Sequence, residues 1–393
     1  MSSAAAPSTA AKDSGPPDEY ISIAQIRYTA AHGKPAEAAK AKEQLLALIK
    51  KREMGPLYSA VCEQLGTLPD AALAASFAAA NAAELARLDE AIVRCDKDEG
   101  ESEVREAYLA KSEYLVRIGE NEKAHAAIEA TYTKTVAIGL RLDLLLCKLR
   151  VAFFFDNLKL VKATVDRAKA LLETGGDWER RNRLKVYEAV FLLSIRDLKK
   201  SSALLLDSIA TFTATELLPY NTFVLYAVAT SLVALPRSEL RPKIIDSPEV
   251  LQVIGEIPHI AGLVNGLYGC SYRMLFASLV EVIDMLLADR YFAAHARYYW
   301  REVRVLAYTQ FLESYRAVSL QSMAASFGVS SAFLDAELAA FISGGRLSCS
   351  IDKVAGIVSS TRPDTKNAQY QATIKQGDLL LNRVQRLSRV VNM

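Results

Sequence analysis

The stretch LQSMAASFGVSSAFLDAELAAFISGGRLSCSIDKVAGIVSS, residues 320–360, decides the fold of the C-terminal end of this 393-residue chain. Within it, Ala324, Gly328 and Leu334 are the small residue, the turn glycine and the buried apolar residue of a helix-turn-helix. The pattern therefore predicts two short helices joined by a tight turn, the second over residues 331–343.

Two short strands follow this second helix. The segments Leu347–Ile351 and Gly356–Ser360 flank a turn at Asp352-Lys353, which is the pattern of a hairpin. A helix over Arg301–Arg316 precedes the helix-turn-helix, with the short segment 318–320 between them. Helix, turn, helix and hairpin in this order predict a winged helix.

The region upstream, from about residue 101 to 235, repeats the pattern helix, short break, helix. The breaks at Gly119, Asp156 and Asp197 are 37 and 41 residues apart, an interval between the tetratricopeptide and HEAT periods. One helix pair cannot cover its own apolar face, so successive pairs stack. The chain is therefore predicted to be all-α, a tetratricopeptide-like, right-handed helical solenoid followed by the winged helix with its small β-hairpin and by a C-terminal helix.

The final helix is predicted over residues 369–391. Its apolar residues form one stripe at helical spacing and are Ile374, Leu380, Leu381, Val384, Leu387 and Val391. The charged residues occupy the other faces. Such a helix at a chain end either folds back onto its own domain or meets partner helices, and the sequence favours neither.

These patterns divide the chain into four parts. They are a disordered tail over 1–19, N-terminal helical repeats over 20–200, a region over 201–361 with helical repeats at 201–300 and the winged helix at 301–361, and a linker with the last helix over 362–393. The tail has no basic start followed by an apolar run, so it is not a signal peptide.

Composition removes several classes of function. The formal net charge is +2, from 47 basic and 45 acidic residues, so polyanion binding needs a local patch. The five cysteines are at least 33 residues apart and the four histidines are as scattered, which excludes the usual zinc spacings. We expect buried, reduced thiols, no metal and no cofactor.

One uncharged stretch of 20 residues, 217–236, has the length of a membrane span. Pro219 and polar residues interrupt it, and amphipathic helices rather than basic loops flank it. A buried helix within the helical stack is the preferred interpretation, so no membrane partner is expected.

Winged helices often read DNA with their second helix. Here that helix carries Asp335 and Glu337 and no Lys or Arg, and the wing offers only Arg346 and Lys353. Phosphate neutralisation requires positive charge at this position. A nucleic-acid-binding protein therefore stays a less favoured alternative, and packing against protein is preferred.

The densest basic cluster, WERRNRLKVY over 178–187, contains Arg180, Arg181, Arg183 and Lys185. It is interpreted either as a solvated helix face or as an electrostatic docking patch for an acidic partner.

Catalysis has little support in this sequence. No nucleophile elbow, phosphate-binding loop or dinucleotide fingerprint occurs. The aromatic residues around Trp300 form either a pocket or, as we prefer, a core. No catalytic residue is assigned.

The architecture and several long strings resemble the PCI family, which is named for the proteasome lid, the signalosome and translation initiation factor three. The matching strings are GGDWERRNRLKVYEAVF (175–191), RYYWREVRVLAYTQFLESYRA (297–317), GRLSCSIDKV (345–354), RPDTKN (362–367) and GDLLLNRVQRLSRVVNM (377–393). The resemblance covers the chain from about residue 20 and is weakest before residue 87. It implies that residues 201–361 are the PCI domain.

The resemblance also implies a function, namely a non-catalytic scaffold in the proteasome lid, acting in ubiquitin-dependent protein degradation in the cytoplasm and nucleus. The implied partners are other PCI subunits of the lid and its deubiquitinase subunit, in a hetero-oligomeric complex. Family members pair their winged helices edge to edge and bundle their last helices. The matching interface residues are Leu347, Ile351, Ile357, Val358, Ile374, Leu381, Val384, Leu387 and Val391. A signalosome-like scaffold is the alternative within the family.

Overall fold

The computed structural model describes residues 19–66, 70–98, 100–361 and 365–391. In these residues it contains nineteen α-helices, a 3-10 turn over Ile209–Thr211, a π-helical turn over Arg241–Ile245 and three short strands. The predicted tail, apart from the residue that begins the first helix, lies outside the described residues.

Contacts within the chain divide it into two compact units. The first comprises the described residues up to Val264 together with Leu279–Tyr299. The second comprises Asn265–Ser278 and the described residues from Trp300 onward. The sheet belongs to the second unit.

The first unit is built from consecutive helices. They are α1 (Glu19–His32), α2 (Pro35–Arg52), α3 (Gly55–Leu65), α4 (Ala71–Asp98), α5 (Glu101–Ile118), α6 (Asn121–Lys134), α7 (Ile138–Phe154), α8 (Leu158–Gly175), α9 (Trp178–Ser194), α10 (Leu198–Ser208), α11 (Tyr220–Ala234), α12 (Arg237–Leu240) and α13 (Pro248–Ile254). Three more helices contribute residues to both units, α14 (Ile260–Tyr268), α15 (Tyr272–Ala288) and α16 (Ala293–Ser314). From α5 to α11 each helix packs against the next, which confirms the predicted stack of helix pairs.

The predicted breaks coincide with helix ends. Gly119 follows α5 with φ 78°, and Asp156 follows α7 with φ 55°. Glycine adopts this left-handed region without a steric cost, and aspartate tolerates it better than most residues. Asp197 precedes α10 and accepts a hydrogen bond from the Lys200 N–H at 3.3 Å, which caps the helix.

Helix α11 is buried on every face over most of its length. Its residues 223–232 are all buried, and α10 and α13 both pack against it. The prediction of a buried helix in the uncharged stretch is therefore confirmed. No single described helix is long and apolar enough to span a membrane. The helix pair Leu320–Phe327 and Ser331–Ser343, which is bent by 100°, reaches that length and apolar composition only when both helices are counted together.

Helix α1 contacts residues that lie 259 to 265 positions later in the chain, within the first unit. Gln25 Nε2 donates to Ala288 O at 2.8 Å, and Gln25 Oε1 accepts from the Arg290 N–H at 3.2 Å. Lys34 and Asp284 form an ion pair at 3.3 Å. Local periodicity carries no information about contacts this distant in the chain, so the sequence analysis did not predict them.

Arg290 is the buried charge beside this contact. Its side chain is 7% exposed. The guanidinium donates to Phe153 O, to Phe154 O at 3.0 Å and to a carboxylate oxygen of Asp156 at 2.7 Å. Burying a charge is costly unless hydrogen bonds and an opposite charge compensate it. Arg290 thus ties the end of α7 to the connection between α15 and α16.

The second unit contains the winged helix. Its elements are β1 (Ala317–Ser319), α17 (Leu320–Phe327), α18 (Ser331–Ser343), β2 (Cys349–Asp352) and β3 (Ile357–Ser360), and α19 (Thr365–Val391) follows. The antiparallel sheet has the order β1-β3-β2, with Val358 opposite both Val318 and Ile351. The predicted helix-turn-helix and hairpin are confirmed, and β1 is a third strand where only a short segment was expected.

We expect Arg290→Ala to lower the free energy of unfolding by about 2–4 kcal/mol, because two carbonyls at the end of α7 and the carboxylate of Asp156 each lose a charged donor. Urea unfolding followed by far-UV circular dichroism measures this. Arg181→Ala, at an exposed arginine, is the control and should change stability by no more than about 0.5 kcal/mol. Equal midpoints for both variants and the wild type contradict the role given to Arg290.

His125, on α6, is a half-buried residue with a consequence for stability. Both of its ring nitrogens are buried and lack a hydrogen-bond partner among the described residues. Burial, and next the charge of Lys148, lowers the pKa of His125 below its ordinary value. The folded chain therefore keeps this imidazole neutral in a pH range where the unfolded chain protonates it.

Because the unfolded state then binds the extra proton, the free energy of unfolding falls as the pH drops from about 6.5 through the lower pKa of the folded state. His125→Gln removes this titration, so we expect a flatter stability profile over that interval in urea melts. His32→Gln, at an exposed histidine, should keep the wild-type slope. An unchanged slope in His125→Gln shows that another group sets the pH dependence.

Candidate protein-interaction surfaces

Helix α19 exposes its apolar residues. All of its described side chains, over 366–391, are exposed. The large apolar ones have exposed fractions of 57–73% and are Tyr370, Ile374, Leu379, Leu380, Leu381, Val384, Leu387, Val390 and Val391. An amphipathic helix of a globular protein ordinarily turns such residues toward a core. A contiguous exposed set of this kind marks an interaction surface.

Seven of these residues lie on one face. At 3.6 residues per turn they fall within an arc of about 140°, and we call them the α19 stripe: Tyr370, Ile374, Leu380, Leu381, Val384, Leu387 and Val391. Leu379 and Val390 lie on the opposite side with Arg383 and Arg386. The structure thus brings the five predicted interface residues of this helix together on one exposed face with Leu380, which the predicted stripe already contained, and Tyr370 extends the stripe.

The four predicted residues of the wing divide between interior and surface. Leu347 is 6% exposed and Val358 is 0% exposed, so both belong to the interior of the second unit. Ile351 and Ile357 are half-buried. The two groups can therefore serve an interface differently, since only the half-buried pair offers side-chain surface to a partner.

The sheet offers strand addition at its outer strands. β3 pairs with β1 on one side and with β2 on the other, so its backbone groups are already used. Among the described residues, β1 and β2 each have one strand neighbour. An unpaired edge presents N–H and C=O groups to a partner strand. Ile351 lies on the edge strand β2, whereas Ile357 and Val358 lie on the neighbouring central strand β3.

A buried polar network fixes α18 against α16 in the second unit. Arg304 and Glu337 form an ion pair with side chains 10% and 9% exposed. The Tyr308 hydroxyl donates to Glu337 Oε2 at 2.6 Å. Burial, and next the bond to Glu337, raises the pKa of Tyr308, so this hydroxyl stays protonated as a donor. The guanidinium of Arg304 also lies 4.4 Å from the Trp300 ring centroid.

The cations of the wing are engaged in ion pairs with the winged helix itself. Lys353 pairs with Asp335 of α18 at 3.0 Å, and Arg346 pairs with Glu302 of α16. These are the two basic residues on which a nucleic-acid interface had to depend. Their charges are compensated within the unit, and α18 adds no cation. The geometry therefore gives the nucleic-acid alternative no electrostatic support.

The basic cluster of α9 is also largely paired. Three of its four cations are held by carboxylates of other segments, in the pairs Arg180–Asp143, Arg183–Glu216 and Lys185–Asp207. Arg180 binds both oxygens of Asp143, at 2.9 and 2.8 Å. Arg181 is exposed. The pairing favours a structural role for the cluster, and the sequence could not show it because the carboxylates lie 22 to 37 residues away.

The remaining candidate chemistry is structural in character. Tyr299 and Tyr308 are fully buried, as a core interpretation of the aromatic cluster expects. Cys62 and Cys349 are buried, but Cys270 is exposed, so the expectation of buried thiols does not hold for every cysteine. No group of three or more His, Cys, Asp or Glu residues suited to a metal occurs in the described ranges.

Three family models match successive parts of the chain. The model described as 26S proteasome subunit RPN7 matches residues 70–243. The PCI domain model matches residues 280–362. The model described as the 26S proteasome regulatory subunit RPN7/PSMD6 C-terminal helix matches residues 369–391. The last of these matches contains the whole α19 stripe.

Curated proteins match over almost the full length. The 26S proteasome non-ATPase regulatory subunit 6 of Oryza sativa subsp. japonica is 45% identical over 383 residues, covering 97% of this chain and 98% of the relative. The subunit 6 homolog of Arabidopsis thaliana is 48% identical over 357 residues, covering 91% and 92%. COP9 signalosome complex subunit 1 of Arabidopsis thaliana is 27% identical over 153 residues, covering 39% and 35%.

We expect Glu337→Gln to destabilise the second unit by about 3–5 kcal/mol, because it leaves the buried Arg304 charge without its counter-charge. Urea unfolding followed by Trp300 fluorescence, in a Trp178→Phe background, reports this unit. Asp335→Asn, on the same helix as Glu337, breaks the pair with the exposed Lys353 of the wing; it is the matched control and should cost at most about 1 kcal/mol. Equal costs for the two substitutions refute the special role of the buried pair.

Proposed function

This chain belongs to the family of the 26S proteasome non-ATPase regulatory subunit 6 (RPN7), and we propose that it is a non-catalytic structural subunit of the lid of the proteasome regulatory particle. Its relatives over nearly the full length are named as 26S proteasome regulatory subunits. In this role the chain acts in lid assembly and in ubiquitin-dependent protein degradation, in the cytoplasm and the nucleus.

The observation that carries the proposal is the α19 stripe. A helix with seven large apolar residues exposed on one face gains stability only when another surface covers them, and a buried side chain of this size contributes about 1.5–3 kcal/mol. An obligate subunit has such a surface because its partner completes it. The stripe suits a bundle of helices from several subunits.

The sheet edge supplies the second contact in this proposal. The other PCI subunits of the lid add a strand or a helix at the outer strands of the winged helix, with Ile351 on β2 at the contact and Leu347 and Val358 supporting it from the interior. The lid's deubiquitinase subunit is the further proposed partner. The helical array holds these contacts in register.

No catalytic role is proposed, because the buried charged groups already hold helices together. Buried charges such as Arg304 and Arg290 are engaged in ties between helices, where they stabilise the fold. A signalosome scaffold is the less favoured candidate, because the likeness to that subunit covers 39% of this chain.

We expect Leu381→Asp combined with Val384→Asp to reduce co-purification of the other lid subunits at least about tenfold while leaving the melting temperature of the isolated chain unchanged, because both side chains are exposed in the chain alone. Affinity purification of the tagged full chain from cells, with quantitative mass spectrometry, measures the partners.

The matched control is Leu379→Asp. It makes the same chemical change on the same helix, about 160° away from Leu381, and should leave the partners bound. If the double variant retains its partners, or if the control loses them equally, the stripe is not the assembly surface. If the wild-type chain purifies without proteasome subunits, the proposed function itself fails.

A further inference from the structure

A groove in the first unit offers an interaction surface that the proposed function does not assign. It has a volume of about 640 Å³, which lies within the usual range for binding sites. It is lined by the end of α1, the connection to α2 with the first turn of that helix, the Pro258-His259 segment and α15. We call it the α1–α15 groove. All of its lining residues belong to the first unit, whereas the α19 stripe and the sheet belong to the second.

Two carboxylates of this groove are uncompensated. The lining contains the acidic residues Glu37, Glu281 and Asp284 and one cation, Lys34, which pairs with Asp284 at 3.3 Å. Glu37 and Glu281 are exposed, and neither side chain forms an ion pair or a hydrogen bond with another described residue. The groove therefore favours a cationic ligand. Among the described residues no group of His, Cys, Asp and Glu is suited to a metal, so an organic cation fits better.

The same groove has apolar and aromatic surface. Leu287 is large, apolar and 43% exposed, and Met285 lines the groove from the same helix. The rings of Tyr28 and His32 are stacked, with centroids 4.7 Å apart and an interplanar angle of 18°. The Tyr28 hydroxyl donates to Leu287 O at 3.4 Å, so the aromatic pair lies next to the apolar surface of α15. A fitting ligand therefore joins a positive charge to an apolar stem and can pack against an aromatic ring.

We propose that the α1–α15 groove receives an arginine side chain of a partner protein. A guanidinium holds its N–H donors in one plane, so it can bind two carboxylates at different edges. Its flat face stacks on aromatic rings, and its methylene groups cover apolar surface. Lysine supplies the same charge, but its ammonium group is more strongly hydrated and has no planar face. This contact is separate from the α19 stripe and does not depend on the proposed function.

The test uses NMR of the full chain with ¹³C-labelled histidine and a capped Gly/Ser peptide that contains one arginine. His32 and His259 line the groove. The other two histidines of the chain, His125 and His295, lie outside the lining. Titration of the peptide should shift the Cε1–Hε1 signals of the first pair, with a dissociation constant of about 1 mM, and leave those of the second pair unchanged. A lysine twin should bind at least about threefold more weakly. A citrulline twin, which keeps the planar head without its charge, should not bind.

Substitution of the free carboxylates tests their role. Glu37→Gln and Glu281→Gln should each weaken binding of the arginine peptide about three- to fivefold, because each removes one exposed charge pair. Glu43→Gln is the matched control, since Glu43 is an exposed glutamate of α2 outside the lining, and it should leave the affinity unchanged. Unchanged signals of His125 and His295 show that each variant is folded.

Four outcomes overturn the proposal. Shifts at all four histidines, or none at His32 and His259, place the peptide elsewhere. Equal affinity for the citrulline twin shows that charge does not select the ligand. An equal loss with Glu43→Gln shows that the groove carboxylates have no special role. Equal affinity for the lysine twin refutes the choice of arginine.

Discussion

Each helix pair of this fold must share its apolar surface with the pair before it and the pair after it, and the rest of the structure depends on this constraint. Where neighbours exist on both sides, burial is nearly complete, as in Val151–Phe154 of α7 and Phe223–Leu232 of α11. Each unit has an interior of its own, and in the second one the aromatic rings of Tyr308 and Phe327, with centroids 4.9 Å apart, belong to it. Helix α19 has no such neighbour among the described residues, which is why its apolar stripe remains open.

Charge in this chain mainly holds helices to one another. Arg180 binds Asp143 across two helices, and Arg290 binds carbonyls at the end of α7. A guanidinium used in this way is unavailable for phosphates of a nucleic acid, because its charge is already compensated. The near balance of 47 basic and 45 acidic residues is in keeping with this internal pairing.

Local signals predicted much of this fold, and contacts distant in the chain account for what they missed. The bounds of α18 follow from its N-cap Ser330, which accepts from the Phe333 N–H at 3.3 Å, and from the glycine after it. By contrast, β1 is three residues long and shows no period. Helix α19 begins four residues before the predicted start, and the sequence did not show this first turn because it contains no large apolar residue. The α19 stripe could be predicted from the spacing of its apolar residues. Its exposure and the carboxylate partners of the α9 cluster could not be predicted in this way.

The length of α19 explains how an open apolar stripe is compatible with a defined interface. At 27 residues the helix exceeds the length of about 12–15 residues below which isolated helices are marginal in water. A stripe that is already arranged loses little backbone entropy on association, and a larger share of the burial energy then appears as affinity. Arg383, Arg386 and Arg389 lie away from the stripe and remain hydrated when it is covered. In the proposed assembly the helix therefore joins a partner surface without refolding, and the chain on its own is the incomplete form of that assembly.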